Sequence, residues 1–534
     1  MHKAEPALGC RFALAIGLFA TVACQHTATP AKSLDAVQAL DTVQALDSGA
    51  QTPTYLQLRP LSVSADRRIV DDTDREVLLR GVNITSLGQY WQGDPVLKPT
   101  AELTETDWQD LAAQGFSVIR LVIHWSLLEP TRGALDQAYL KRVDGYVRAA
   151  AAHGLYTVID MHQDAYCSFI YSPLPADCSS GTQPAKGWDG APAWATQTDG
   201  LSTCVSGDRN SSPAVTAAWN HFYDNTDGIR DRFVATWAGV AAYFAGRPEV
   251  AGYDLLNEPE VPRPAGELAP LYNQLLAGVV TAIRQAEAQK PFGHLLIVEP
   301  AIAAGHPQFG LVVPAPASVQ LPITNLVAGP HNYAEAIGNG LDLSIEDMSA
   351  VYVGAAANIG VPAWIGEHGF WDTNEETLAR LDRYAADEDA RVLGGAWWQW
   401  RQPCGDPHSV PLGGYAATGQ KNQQIHLHGL ACPGDVDLGP TEPFLRVLRR
   451  AAPRAVPGRI ATLKSDWKSG SFSLSAGQAA AGGPLVVWLP GTVAASAVSA
   501  TGLQDVVLHP VPGGAWLTAT VTTGPSYSLG VTGH

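Results

Sequence analysis

The sequence predicts an α/β protein in which a (β/α)8 TIM barrel is followed by a C-terminal β-sandwich. Short apolar segments alternate with longer helical patterns between residues 77 and 400, which is typical of repeated βα units. No G-x-G-x-x-G motif follows the first apolar segment, which disfavours the alternative of a doubly wound open sheet. After residue 456 the pattern changes to alternating runs separated by glycines, which is typical of antiparallel strands.

The predicted barrel strands are apolar runs of similar length that occur in a regular order along the chain. They are VLLRGVN (77–83), SVIRLVI (117–123), LYTVIDM (155–161), VAGYDLLNE (250–258), HLLIVEP (294–300), NLVAGPHNY (325–333), PAWIGEHG (362–369) and GGAWWQW (394–400).

The helices between these strands are marked at their ends. Thr104 and Asp107 have the spacing of a capping box, and Gly115 ends the helix that they begin. Ser344 begins another predicted helix, which ends at Gly360. These signals support the alternation of strands and helices that a barrel requires.

Two of the predicted connections are much longer than the others. Residues 163–228 follow the third strand, and residues 401–441 follow the eighth. Long loops at the C-terminal ends of barrel strands usually build the substrate site. We therefore expect these two segments to form a lid or a cleft wall.

Five cysteines beyond the N-terminal segment lie in these two connections. They are Cys167, Cys178, Cys204, Cys404 and Cys432. Their grouping favours the pairs Cys167–Cys178 and Cys404–Cys432, although the sequence leaves the connectivity open and one cysteine would remain unpaired.

The N-terminus predicts export. Residues 1–23 have basic residues before an apolar stretch that is too short to span a bilayer, which is typical of a signal peptide. Thr21 stands where a lipobox prefers an aliphatic residue, so secretion is favoured over lipid attachment at Cys24. The predicted organisation is completed by three segments: a linker at 24–54, the catalytic barrel at 55–455 and the β-sandwich at 456–534.

The charge of the chain excludes one class of partner. The formal net charge is -17, and no basic run interrupts it. A protein that binds nucleic acid needs a positive surface to replace the counterions of the phosphates. We therefore expect no nucleic-acid partner.

Two glutamates stand at the ends of predicted strands. Glu258 ends the fourth strand and Glu367 ends the seventh. Strands four and seven lie on opposite sides of a barrel mouth, where catalytic groups are placed. Two carboxylates about 5 Å apart are what a retaining glycosidase requires. Asn257, beside Glu258, can donate its amide to a sugar 2-hydroxyl.

Together these motifs resemble glycoside hydrolase family 5, whose members are (β/α)8 retaining enzymes. LLRGVN resembles the first strand of that family, GFSVIRLVIHW the second, DMHQDAY the third, and the likeness continues in order through NEP, HNY, IGEHG and AWWQW. The resemblance implies that Glu258 is the acid/base and that Glu367 is the nucleophile. It also implies contacts with the substrate or the nucleophile for Arg120, His162, His331, Tyr333 and one platform tryptophan, either Trp398 or Trp400, of which Trp398 is favoured.

The two glutamates are expected to differ in pKa. Glu258 follows an apolar strand and faces a second carboxylate, both of which raise the pKa of a carboxyl group. Glu367 has Arg120 and Tyr333 as expected partners, which favour its anion. A raised pKa for Glu258 and an ionised Glu367 would suit an acid and a nucleophile, respectively.

Within family 5 the sequence resembles the endoglycoceramidases, enzymes that cut the whole glycan from ceramide. DMHQDAY, WDGAPAWA and PRAVPG carry this resemblance, and Asp164 matches an acidic residue that holds a substrate hydroxyl in that group. Members that cleave glucosylceramide carry a lysine shortly after the first strand, whereas RGVNITSLGQYWQ contains none. This departure allows a galactose-linked ceramide or a different aglycone.

The predicted function is a secreted retaining β-glycosidase that hydrolyses the glycan–ceramide bond of glycosphingolipids. The alternatives are another family 5 enzyme acting on a polysaccharide or a steryl glucoside, and a secreted carbohydrate-binding protein without activity. The sequence has no H-E-x-x-H motif and no C-x-x-C pair, so neither a metal nor another cofactor is expected. The expected partner is a glycolipid or other β-glycoside, with peripheral contact with lipid surfaces.

Overall fold

A computed structural model describes residues 53–90, 97–172, 178–300, 324–337, 343–408, 426–432 and 434–533. The predicted signal peptide, Cys24 and nearly all of the predicted linker lie outside these residues. Among the described helices, none combines the length and the apolar character that crossing a membrane requires.

The described chain begins with three short antiparallel strands, which lie before the barrel. They are β1 (Leu61–Val63), β2 (Ile69–Asp71) and β3 (Arg75–Val77).

Eight parallel strands then form the predicted barrel. They are β4 (Arg80–Ile84), β5 (Val118–His124), β6 (Tyr156–His162), β7 (Val250–Asp254), β8 (Leu295–Val298), β9 (Leu326–Ala328), β10 (Ile365–His368) and β11 (Gly395–Trp397). Each overlaps a predicted segment. Their order in the sheet is β10-β11-β4-β5-β6-β7-β8-β9, and parallel bridges between Ala328 and Ala363 and between His331 and Glu367 join its two edges.

Helices connect the strands on the outside of the barrel. They are α1 (Glu105–Ala113), α2 (Trp125–Leu128), α3 (Gln137–Ala152), α4 (Pro213–Tyr223), α5 (Ile229–Phe244), α6 (Ala265–Glu287), α7 (Ile345–Ile359), α8 (Glu375–Arg391) and α9 (Glu442–Leu448). The capping box of Thr104 and Asp107 is confirmed at the start of α1. Ser344 caps α7, and Gly360 ends it with a left-handed backbone.

The long connections after β6 and β11 each contain one disulfide. Cys404 is joined to Cys432, as predicted, in the connection that also holds β12 (His428–Ala431) and β13 (Val436–Pro440). Cys178 is joined to Cys204, so the predicted pair Cys167–Cys178 is wrong.

The physical reason is the course of the loop. Backbone hydrogen bonds in both directions between Gln183 and Val205 bring Cys204 beside Cys178. Cys167 is a buried thiol, and burial raises its pKa to about 11. Cys178 therefore pairs with the more distant Cys204 and not with Cys167, which is closer in sequence.

The C-terminal part of the chain is rich in antiparallel strands. They are β14 (Ala452–Pro457), β15 (Arg459–Asp466), β16 (Ser471–Gly477), β17 (Pro484–Pro490), β18 (Val498–Thr501), β19 (Leu503–Val511), β20 (Gly514–Val521) and β21 (Tyr527–Val531). A four-stranded sheet has the order β15-β16-β21-β18, and a seven-stranded sheet has the order β1-β2-β3-β14-β17-β20-β19. The structure thus adds three strands from before the barrel to the region that was predicted to begin at residue 456.

Side chains from both sheets share one apolar core. Val456, Leu485 and Leu517 come from the seven-stranded sheet, and Phe472 and Leu529 come from the four-stranded sheet. The same region also contacts the barrel helices. Trp467 donates its indole N–H to Asp382 on α8 at 2.7 Å, and Arg450, just after α9, donates to Glu388 and Asp389 on α8 at 2.6 and 3.0 Å.

Candidate active site

Glu258 and Glu367 face each other at the C-terminal ends of the barrel strands. Glu258 follows β7 by four residues, and Glu367 lies within β10. His331 stands between them, with its Nδ1 2.9 Å from Glu258 Oε1 and 3.5 Å from Glu367 Oε2. One carboxylate oxygen of each glutamate lies within 4.8 Å of the other. This separation is shorter than the roughly 6.5–9.5 Å of inverting glycosidases and is closer to the roughly 5–5.5 Å of retaining ones.

Glu367 is buried and is held on both oxygens. Arg120 donates to its Oε1 at 2.7 Å, and Tyr333 donates to its Oε2 at 3.0 Å. Burial raises the pKa of this carboxyl, and the charges of His331 and Arg120 act against that rise. The two donors fix the orientation of the carboxylate toward the mouth of the barrel.

Glu258 is held by two cations. His331 donates to Oε1, and Arg209 donates from Nη2 to Oε2 at 2.9 Å. Burial alone would raise the pKa of Glu258, but the hydrogen bond and charge of His331 and the charge of Arg209 lower it to about 2. The predicted rise in the pKa of Glu258 is therefore wrong for the unliganded protein, because the two cations outweigh burial and the nearby carboxylate.

Arg120 is completely buried beneath the two glutamates and pairs with several carboxylates. Its guanidinium pairs with carboxylates from four barrel strands and with two amide oxygens. These partners are Asp160, Asp254, Glu299 and Glu367, with distances from 2.7 to 3.0 Å, and Asn83 and Asn257 at 3.1 and 2.9 Å. A buried arginine needs such partners, because an unpaired charge inside a protein is costly.

A second group of predicted residues lies beside Glu258. The His162 ring stacks on Trp398 with their centroids 5.2 Å apart and an interplanar angle of 14°. Its Nδ1 is 2.7 Å from Asp160, and its Nε2 is 3.7 Å from Asp164. Asn257 donates to the Gln163 carbonyl oxygen at 3.0 Å, and its amide nitrogen lies 3.4 Å from His162 Nε2.

Trp400 is the one predicted site residue that lies apart from both groups of site residues. It is fully buried, and its indole N–H donates to Asp107 on α1 at 3.0 Å. In a regular strand Trp398 and Trp400 would point to the same face, but β11 ends at Trp397, so this alternation does not extend to them. Trp398, which was favoured, is the tryptophan that faces His162.

Three further residues complete the site and were not singled out in the sequence. Glu299 follows β8, and its Oε2 accepts the backbone N–H of Glu258 at 2.7 Å. It carried the same signal as Glu258, a carboxylate at the end of an apolar strand. Arg209 and His408 come from the two long connections, where no periodic pattern could identify them.

A family model described as cellulase of glycosyl hydrolase family 5 matches residues 70–402. The chain belongs to glycoside hydrolase family 5. The match covers more than half of the sequence and includes all eight barrel strands. The predicted family is therefore confirmed.

Relatives within family 5 indicate the endoglycoceramidase group. The chain is 27% identical over 361 residues to endoglycoceramidase I of Rhodococcus hoagii (strain 103S), an alignment that covers 62% of this chain and 66%, just under two thirds, of that protein. A crystal structure of an endogalactoceramidase is 37% identical, with a TM-score of 0.78, and the match covers 89% of this chain and 100% of that one. The lactosyl-enzyme intermediate of endo-glycoceramidase II from Rhodococcus sp. has a TM-score of 0.66 at 23% identity, covers 88% of this chain and 100% of that one, and shows a shared fold.

Proposed function

We propose that this protein is an extracytoplasmic retaining β-glycosidase that hydrolyses the bond between the glycan and the ceramide of glycosphingolipids. The observation that carries the proposal is the approach of Glu258 and Glu367 to within 4.8 Å in a family 5 barrel. Glu367 acts as the nucleophile on the anomeric carbon, and Glu258 protonates the departing ceramide oxygen and then activates a water. Arg120 and Tyr333 orient the nucleophile.

The glycan binds at the mouth of the barrel. Trp398 offers an aromatic face beneath a sugar ring, and Asp164 and Asn257 lie where they can hold sugar hydroxyls. The preferred first sugar is galactose. Two observations support this preference: the similarity to an endogalactoceramidase, and the lack of a lysine shortly after the first barrel strand.

The ceramide substrate resides in a lipid surface, and the connections after the barrel strands carry exposed apolar side chains that suit contact with one. Phe169 and Leu201 are exposed in the connection after β6, and Val436 and Leu438 are 60% and 65% exposed in the connection after β11. Exposed apolar side chains mark an interaction surface when they lie together in one patch, which we propose for these loops. The lipid-facing side of the protein is therefore the side that holds the active site.

The location outside the cytoplasm is supported by the two disulfides, which persist in oxidising compartments. The apolar N-terminal segment supports export as well. The two C-terminal sheets, which share one core, form a β-sandwich whose role is to pack against α8 and stabilise the barrel.

A substrate panel tests the proposal. The protein is incubated with galactosylceramide, glucosylceramide, lactosylceramide, a ganglioside, a steryl glucoside and a β-glucan, and the products are separated. We expect intact glycan and free ceramide from at least one glycosphingolipid. Cleavage of the steryl glucoside or the β-glucan alone would replace this proposal with one of the alternative family 5 activities.

Proton NMR on the first product tests the retaining mechanism. We expect the β-anomer of the sugar to appear first and then to mutarotate, because two inversions occur at the anomeric carbon. Activity should persist in EDTA. Initial release of the α-anomer would contradict the roles of the two glutamates.

A further inference from the structure

Arg209 reaches from the long connection after β6 into the space beside the acid/base. Its Nη2 donates to Glu258 Oε2 at 2.9 Å and also forms an ion pair with Asp164 Oδ1. The centre of its guanidinium lies 5.0 Å from the ring centroid of Trp188. The disulfide between Cys178 and Cys204 closes the loop shortly before it. The guanidinium is therefore positioned by a tryptophan and two carboxylates.

A single nitrogen makes both ionic contacts. Because Nη2 serves Glu258 and Asp164 together, a movement away from one carboxylate also weakens the contact with the other. The second oxygen of Asp164 is already 3.1 Å from His408 Nε2. A sugar hydroxyl that donates to Asp164 therefore competes with Arg209 or His408, and the Arg209 side chain is the more exposed of the two, at 29% against 17%.

Charged and titratable groups from several elements act on Glu258. They are Arg209 and Asp164 from the end of β6 and its connection, Glu299 after β8, His331 and Tyr333 after β9, Tyr352 on α7, and Glu367 in β10. Arg209 and His331 are the cations in direct contact with its carboxylate. A general acid must carry a proton, and a cation in contact with the carboxylate opposes protonation.

We propose that Arg209 is a positioning residue that couples sugar binding to the acid function of Glu258. In the unliganded protein it holds Glu258 and Asp164 together. A sugar hydroxyl that takes its place at Asp164 displaces the guanidinium from both carboxylates, and Glu258 then takes up a proton from the solvent, which it later gives to the leaving oxygen. This inference rests on the proposed function.

A titration of the Glu258 carboxyl tests the coupling without any turnover. The full-length protein is labelled with ¹³C at glutamate side chains, and the Glu258 signal is assigned by its loss in Glu258→Gln. The pKa is then measured in the wild type, Arg209→Met and Arg209→Lys. Arg132→Met is the matched control, because Arg132 also lies over a tryptophan, 5.4 Å from the Trp194 centroid, and donates to the Asp227 carbonyl oxygen instead of a site carboxylate.

We expect the pKa of Glu258 to be at least one unit higher in Arg209→Met than in the wild type, with an intermediate value in Arg209→Lys and no change in Arg132→Met. An S-linked β-galactoside, which is not hydrolysed, should raise the pKa in the wild type and have a much smaller effect in Arg209→Met. The basic limb of the pH dependence of kcat/KM should move to higher pH in Arg209→Met for ceramide substrates.

Two results would overturn the inference: a pKa in folded Arg209→Met equal to that of the wild type, or a shift by the thio-galactoside that is the same in both proteins. A merely structural arginine would lower the melting temperature and leave the pKa unchanged. If the wild type cleaves no glycosphingolipid in the substrate panel while the pKa follows Arg209, the proposed function fails and the electrostatic role of Arg209 stands.

Discussion

Glu367 is the residue on which the proposed reaction depends most directly. Glutamine keeps the shape of the side chain and one oxygen for Arg120 or Tyr333 but lacks the negative charge that attacks the anomeric carbon. We expect Glu367→Gln to lose glycolipid hydrolysis by several orders of magnitude. Circular dichroism and the melting temperature should show that the variant is folded. Near-normal turnover by a folded Glu367→Gln protein would end the assignment as nucleophile.

Glu258 should matter most for poor leaving groups. Ceramide leaves as an alkoxide unless it is protonated, whereas an activated aryl group leaves without a proton. We therefore expect Glu258→Ala to slow the glycosylation step by orders of magnitude for ceramide and far less for an aryl galactoside. Azide should accelerate turnover of the aryl substrate, because it attacks the glycosyl-enzyme without a general base.

Pre-steady-state kinetics measure the formation of the glycosyl-enzyme separately from its breakdown by water or azide. Equal slowing of glycosylation for both leaving groups, together with no effect of azide, would remove the acid/base role from Glu258.

Site residues on or near a barrel strand could be predicted from the sequence, whereas those in the long connections could not. Glu258, Glu367, Arg120 and His162 lie on or directly after apolar barrel strands, so the position of each strand fixed the position of the side chain. Arg209 enters from a long connection whose course depends on a disulfide and on contacts distant in sequence. The lowered pKa of Glu258 could not be predicted, because it depends on Arg209 and on the direct contact of His331 with this carboxylate, which its position after a strand did not indicate.

At the scale of elements, the two long connections meet at Asp164 through His408. Burial alone would lower the pKa of His408, but the charge of Asp406 and hydrogen bonds with Asp164 and Asp406 raise it to about 9. A histidine with a raised pKa stabilises the folded state fully below its unfolded pKa, about 6.5, and loses that contribution as the pH rises through its folded pKa. The ion pairs of His408 should therefore weaken between about pH 6.5 and 9.

We expect the melting temperature of the wild type to exceed that of His408→Gln at pH 6, and the difference to shrink by pH 10. Thermal unfolding of both proteins from pH 6 to pH 10 measures this difference in melting temperature. Contributions from other titratable groups largely cancel, because both proteins contain them. A constant difference over the whole range would show that the charge of His408 does not stabilise the loops.

The predicted strands differ from the missed ones in how they alternate with helices. Barrel strands such as β5 and β6 are seven residues long and buried throughout, so they appear as mostly apolar segments, although Arg120 lies in β5 and Asp160 lies in β6. The strands β1, β2 and β3 have three residues each and follow one another with no helix between them. Besides β2, the pairing partner of β3 in the same sheet is β14, which lies hundreds of residues later in the chain.

At the scale of the whole molecule, the barrel and the C-terminal sheets should unfold as one unit. Leu517 on β20 is fully buried in the core shared by the two sheets, and Leu→Ala changes in such positions cost about 2–5 kcal/mol. We expect Leu517→Ala to lower the free energy of unfolding by that amount. The control Val507→Ala, at a position that is 45% exposed, should change it by less than about 0.5 kcal/mol.

Urea unfolding followed by tryptophan fluorescence and by hydrolysis of an aryl galactoside measures both regions. Loss of fluorescence and of activity at the same urea concentration would indicate a single cooperative unit. Activity that survives unfolding of the sheets would show that the barrel is stable alone.

The sheet order β1-β2-β3-β14-β17-β20-β19 joins the first described strands to the last ones. During synthesis, β3 emerges long before β14, the strand that pairs with it, so that edge of β3 keeps unpaired N–H and C=O groups until β14 has been made. A chain that stops before β14 keeps that edge open, and unpaired strand edges make partly folded chains prone to aggregate. A chain that lacks β14 should therefore aggregate more readily than one in which β3 is paired on both sides.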